Sequence, residues 1–186
     1  MMYDGIMKKL TFLFATIIMV LPVKSYAAAP TRQLGWPLQV GEVTWSTSDH
    51  AAPISGRIAS AWREWAGVSN GQVRPVHRTS GRVDVSFDCS DTEQFGVLDS
   101  TRITGKIEHG TSTRRIVLDG WACYSADRVL LLHAIGHALG FGHGDAGDVM
   151  DPNSPWMLGP QGDRGFTPTE SRSYRSWYSL ISKMRF

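Results

Sequence analysis

Three of the chain's six histidines fall within eleven residues, in "HAIGHALGFGH" from His133 to His143. His133 and His137 are four apart, so on a helix both side chains leave the same face and can share one metal ion. A straight helix cannot bring His143 to the same point. The chain must turn, and Gly140 is where it can, because glycine accepts a positive φ without strain. His133, His137 and His143 therefore read as a tripod of three neutral imidazoles. Zinc is borderline-soft and tetrahedral and accepts such ligands, which leaves a fourth position open to water or a substrate oxygen. That open position separates a catalytic site from a structural one. Copper or nickel fit the same ligands in vitro. One histidine on a helix is ordinarily a surface or core residue; three at this spacing, with glycine at the turn, point to a metal.

These residues need elements to position them. Val43, Trp45 and Thr47 alternate with polar residues over Glu42 to Asp49, a strand pattern. A helix follows from near Pro53, with Ile54, Ile58, Trp62 and Trp65 on one apolar face. Val83, Val85 and Phe87 mark a second strand. "STRITGKIEHG" and "RRIVLDG" predict two weaker strands around a turn at Gly110. "SADRVLLLHAIGHALG" predicts the helix that carries the first two histidines, with Ser125 as N-cap, Asp127 in the first turn and Gly140 as the stop. Residues 144–166 are rich in Gly, Pro and Asp and read as loop. Thr167 and Glu170 form a capping box with Pro168 at the first helical position, and Tyr174, Trp177, Tyr178 and Ile181 give the last helix an apolar stripe. No internal repeat is present. The expected fold is α+β: one sheet, two main helices and a C-terminal loop and helix.

At 186 residues the chain suits one domain with a sizeable core. Its first residues are of another kind. Lys8 and Lys9 precede the apolar run "LTFLFATIIMVLPV", and Ser25 and Ala27 supply small residues before a cut. This predicts a secretory signal over 1–27 and a mature domain over 28–186, exported to the periplasm or beyond. The run is short for a membrane span, the competing reading. Without residues 1–27 the chain keeps 16 basic and 16 acidic residues, so its formal charge of +2 belongs to the leader and indicates no nucleic-acid partner. After cleavage nothing anchors the chain to a membrane, and a monomer is expected. Cys89 and Cys123 are the chain's two cysteines, and an isolated pair in an exported protein predicts a disulfide.

His133, His137, Gly140 and His143, with "DVMDP" downstream, resemble the zinc signature and Met-turn of the metzincin metallopeptidases. Within them the short domain, "HALGFGH", "VMDP" and "FTPTESRSY" are similar to the matrixins. The resemblance implies a single twisted mixed sheet packed on two main helices, and a small C-terminal subdomain. It also implies one catalytic zinc ion, Met150 beneath the metal, and hydrolysis of peptide bonds by a zinc-activated water. The sequence does not support a calcium site. Two departures stand out. Ala134 occupies the position of the general-base glutamate, and Gly144 follows the third histidine where matrixins typically carry serine. His50, His77 and His109 read as ordinary surface or turn residues.

The expected function is an exported zinc endopeptidase acting on a peptide or protein substrate. Lacking its base at Ala134, it should have low or no activity, because a positioned general base is worth about 10²- to 10⁴-fold. Other readings are a zinc-containing peptide-binding module that does no chemistry, or a domain stabilised by zinc. A substitution that silences a protease and a natural loss of the base both fit Ala134. By the resemblance, substrate adds as an antiparallel strand to an exposed sheet edge, for which "LDSTRITGKIE", Leu98 to Glu108, is the candidate. Trp156, Met157 and Leu158 are the expected apolar wall of the pocket past the scissile bond, unless they pack under the last helix instead.

Overall fold

A computed structural model of the protein describes residues 39–90, 101–108, 111–125, 127–144, 147–152 and 164–184, with backbone alone for 101–108, 111, 112 and 121. The expected leader over 1–27, His109, the Gly110 turn and the Trp156–Leu158 wall lie outside these residues.

Alternation of apolar and polar residues builds the sheet. Its strands are β1 (Gly41–Thr47), β2 (Val73–His77), β3 (Val85–Ser90), β4 (Thr101–Glu108) and β5 (Thr111–Asp119), in the spatial order β2-β1-β3-β5-β4. β1 runs parallel to β2 and to β3, and β3 parallel to β5. β4 closes one edge antiparallel to β5, with Thr101 opposite Leu118 and Glu108 opposite Thr111. The edge expected over Leu98 to Glu108 is thus an edge strand over its described part.

One face of the sheet buries Val43 and Trp45 of β1, Val85, Phe87 and Cys89 of β3, and Ile116 and Leu118 of β5. Helix α1 (Ser55–Val68), entered through a 3-10 turn at Ala52–Ile54, contributes Ile58, Ala61, Trp62, Trp65 and Val68 to the same core. Ile54, assigned from the sequence to the same apolar face, lies in that turn and is half-buried. Helix α3 (Arg128–Leu139) buries ten of its twelve residues, so it runs through the core rather than along its surface. Helix α4 (Pro168–Met184) packs with Tyr174 and Tyr178. Trp65 joins the three long helices. Its indole N–H donates to the Leu132 carbonyl at 2.9 Å, its ring stacks on Phe141, and it meets the edges of Phe166 and Tyr174. The result is the expected α+β arrangement of one mixed sheet and its helices.

Three details differ from the sequence reading. The helix expected from Ser125 starts later, at Arg128, and a short helix precedes it. α2 (Gly120–Ser125) ends where α3 was expected to be capped, and the Ser125 hydroxyl turns back to the Ala122 carbonyl at 3.4 Å. Asp127 takes the N-cap position of α3 rather than a place in its first turn, and makes no side-chain capping bond. The Asp119 carboxylate accepts the Ala122 N–H at 2.6 Å and so starts α2 instead.

The third is β2, which the sequence hides because Pro75 sits in its middle. Proline is tolerated in a sheet only where its missing N–H faces outward. The Gln72 carbonyl and the Arg78 N–H both bond to β1, which turns the even positions inward and leaves 73, 75 and 77 facing the free edge. Pro75 therefore costs no ladder bond. The outward N–H of Val73 is taken by the Ser69 hydroxyl at 3.0 Å.

Cys89 and Cys123 form a disulfide with Cα atoms 6.0 Å apart, joining the end of β3 to α2.

Candidate metal centre

α3 places His133 and His137 one turn apart, and the chain then reverses to bring in His143. Gly140 makes that reversal with φ of 100°. The Phe141 N–H returns to the Gly136 carbonyl at 3.0 Å, and the Gly140 N–H to that of His137 at 2.9 Å, a helix ending that requires a left-handed residue. The three imidazoles then bring ligand nitrogens within 4.8 Å of one another. Among the described residues no other group of His, Cys, Asp or Glu is so arranged.

The hydrogen bonds decide which nitrogens face the centre. His133 Nδ1 lies 2.8 Å from the Val149 carbonyl, and His137 Nδ1 2.8 Å from the Phe141 carbonyl. A carbonyl oxygen only accepts, so in both neutral rings the proton sits on Nδ1 and the Nε2 lone pair points inward. The two Nε2 atoms are 2.9 Å apart. Two facing lone pairs repel unless a cation lies between them, and Zn–N bonds of about 2.0–2.1 Å would set tetrahedral ligands roughly 3.3 Å apart. The donor set therefore suits a divalent metal ion. Burial, the largest cause, and the neighbouring imidazoles lower the His133 pKa to about 3. Burial lowers that of His137 to about 4. Both rings are neutral at physiological pH, as metal ligands must be.

A second layer fixes the ligands. Residues 147–152 form a tight turn in which the Asp151 N–H bonds to the Asp148 carbonyl at 3.0 Å and the Gly147 N–H to the Asp151 carboxylate at 2.6 Å. The Met150 carbonyl accepts the Gly144 N–H at 2.8 Å, which ties the turn to the residue after His143. Met150 is fully buried and reaches α3 at Gly136, where an added Cβ would lie 2.3 Å from its sulfur and 2.9 Å from Trp65.

Glu170 holds the turn from the other side. Its carboxylate accepts the Val149 N–H and the Thr167 N–H, the Thr167 hydroxyl accepts the Glu170 N–H at 3.2 Å, and Arg164 approaches to 3.5 Å. The expected capping box is formed, and the same carboxylate grips the residue that orients His133.

Ala134 lies between the first two ligands in sequence and is fully buried in the core. The sequence reading found the three histidines, Gly140 and Met150. It missed Val149, Gly136 and the second role of Glu170. Gly136 had a signal, since a glycine inside a helix implies close approach of a neighbour. The bond from Glu170 to Val149 spans 21 residues and leaves no mark in the local pattern. Of the other histidines, His77 packs at a tilt against Trp45 with ring centroids 4.3 Å apart, and His50 is exposed in a turn. No model of a known protein family matches the chain, and no curated relative matches its sequence.

Proposed function

We propose that the protein is an exported zinc-dependent endopeptidase of the metzincin type, matrixin-like, carried here without its general base. The observation that supports this most is the convergence of three imidazoles on one point, two of them with their tautomers set by backbone carbonyls. Zinc held there would supply Lewis acidity to polarise a peptide carbonyl and acidify water. The chain's own part is to hold three imidazole ligands, to leave one side open, and to present the β4 edge to an extended peptide.

A glutamate at position 134 would take a proton from the attacking water and pass it to the leaving amine. Alanine does neither, and the loss is about 10²- to 10⁴-fold. That same residue favours a second reading, a zinc-containing peptide-binding protein that does no chemistry.

The deciding experiment compares the chain as written with Ala134→Glu. Each is incubated with a denatured protein, with and without a zinc chelator, and the metal content of each preparation is measured. Cleavage by Ala134→Glu alone, abolished by the chelator, supports the peptidase reading. Two inert proteins each holding about one zinc support the binding reading, and failure of both to take up zinc rejects both readings.

A further inference from the structure

The last four carbonyls of a helix have no partner within the helix, and in a buried helix each must find one elsewhere. α3 is such a helix, and its end carries the centre. Its Gly136 and His137 carbonyls are met by the N–H groups of Phe141 and Gly140. The Leu139 carbonyl accepts the N–H of Gln39 at 2.9 Å, from the strand that leads into β1. The Ala138 carbonyl accepts the guanidinium of Arg114.

Arg114 is an unusual resident of its place. On β5 it continues the inward row of Ile116 and Leu118, and the residue is 3% exposed. Alternation would put an aliphatic residue there. Instead a cation spans from sheet to helix and ends on the residue next to the ligand His137. Asp84 faces it; the Asp84 carbonyl accepts the Arg114 N–H at 2.8 Å, and the Asp84 carboxylate is fixed by the Thr44 N–H and hydroxyl, each at 2.7 Å. Burial lowers the Arg114 pKa to about 10 and Asp84 opposes that fall, so the side chain stays charged at physiological pH. A positive charge at a helix C-terminus is also stabilised by the negative end of the helix dipole.

We infer that Arg114 is a positioning residue for the metal centre: by bonding the Ala138 carbonyl it fixes the last turn of α3, from which Gly140 swings His143 onto His133 and His137. His133 lies before this turn, His137 within it and His143 after it. Slack at Ala138, between the second and the third, moves the third imidazole relative to the first two without unfolding the helix. The inference rests on the reading of the three histidines as a metal site and goes beyond it, since no sequence motif links residue 114 to that site.

The test measures zinc affinity by chelator competition, and the visible spectrum of the cobalt-substituted protein, for the chain as written, Arg114→Lys and Arg114→Met. Ser69→Ala is the control: Ser69 is fully buried and bridges α1 to β2, away from the centre, so its loss lowers stability generally. Partners that orient metal ligands are typically worth about 10- to 100-fold in affinity. The expected result is a loss in that range for Arg114→Met, a smaller loss for Arg114→Lys, which keeps the charge but not the planar fork, and an altered cobalt spectrum in both. Ser69→Ala should bind zinc unchanged. Should Arg114→Met fail to fold, Arg114→Lys decides. Zinc affinity and cobalt spectra equal to the parent overturn the inference, as does an equal loss in Ser69→Ala. A parent chain that binds neither metal overturns the metal site itself, and this inference with it.

Discussion

His133 and His137 reach neutrality by burial, and burial has a consequence for pH. In the unfolded chain each imidazole titrates near 6.5, whereas in the folded chain the values fall to about 3 and about 4. Below 6.5 the unfolded state binds protons that the folded state refuses. The stability due to these groups is therefore complete above pH 6.5 and is lost as pH falls from there through 4 toward 3. Metal-free protein should melt at a lower temperature at pH 5 than at pH 7.5, and equal melting temperatures would show that the rings are not held neutral. Glu170 makes a second prediction at this scale. Glu170→Ala strands the buried N–H of Val149, and a buried unsatisfied donor costs about 1–3 kcal/mol, while the N–H of exposed Thr167 can turn to water. Destabilisation of about 1–3 kcal/mol by chemical denaturation is expected, with faster metal release because Val149 no longer holds His133. Glu170→Gln keeps one acceptor and should lose about half as much.

Among the elements, α3 explains what the sequence could and could not show. Its histidine pair was legible because a helix repeats every 3.6 residues and a shared metal needs one face. Its start was misplaced because Ser125 is a good N-cap in isolation, while Asp119 had already begun the short α2 upstream. β1, α1, β3 and α4 were legible from the alternation or periodicity of Trp45, Trp62, Phe87 and Tyr178. β2 was not, since five residues around Pro75 look like loop until an edge position excuses the proline. Arg114 was half-legible: alternation with Ile116 and Leu118 puts it inside, but its partner on α3 is 24 residues away. Gly136 gives a test with an inverted sign. In an ordinary helix Gly→Ala stabilises by up to about 1 kcal/mol. Here the new methyl would meet the Met150 sulfur and Trp65, so Gly136→Ala should destabilise by about 1–3 kcal/mol, the usual cost of overpacking. A rise in the denaturation midpoint would mean that Met150 moves aside freely.

On the scale of the whole molecule, the disulfide and the sheet edges set the limits. The Cys89–Cys123 bridge closes a loop with a sequence separation of 34, worth about 3–4 kcal/mol in the entropic account. Reduction should lower the unfolding free energy by that amount; a negligible change would show that the core alone fixes α2 on β3. No helix among the described residues is long and apolar enough to cross a membrane.

A sheet with two free edges would ordinarily be able to recruit strands on both sides, and so to grow into chains of molecules. Here the two sides are unequal. Along β2 the outward donors are Val73, already committed to Ser69, and His77, with Pro75 between them having none. An incoming strand finds a ladder broken at two of its three donors. β4 has no proline along its length. Among the described residues the two edge strands are thus unequal templates: β2 offers an added strand a row of donors broken at Pro75 and already taken at Val73, whereas every residue of β4 carries a backbone N–H. In the proposed reading, an extended peptide therefore pairs with β4 and leaves β2 aside.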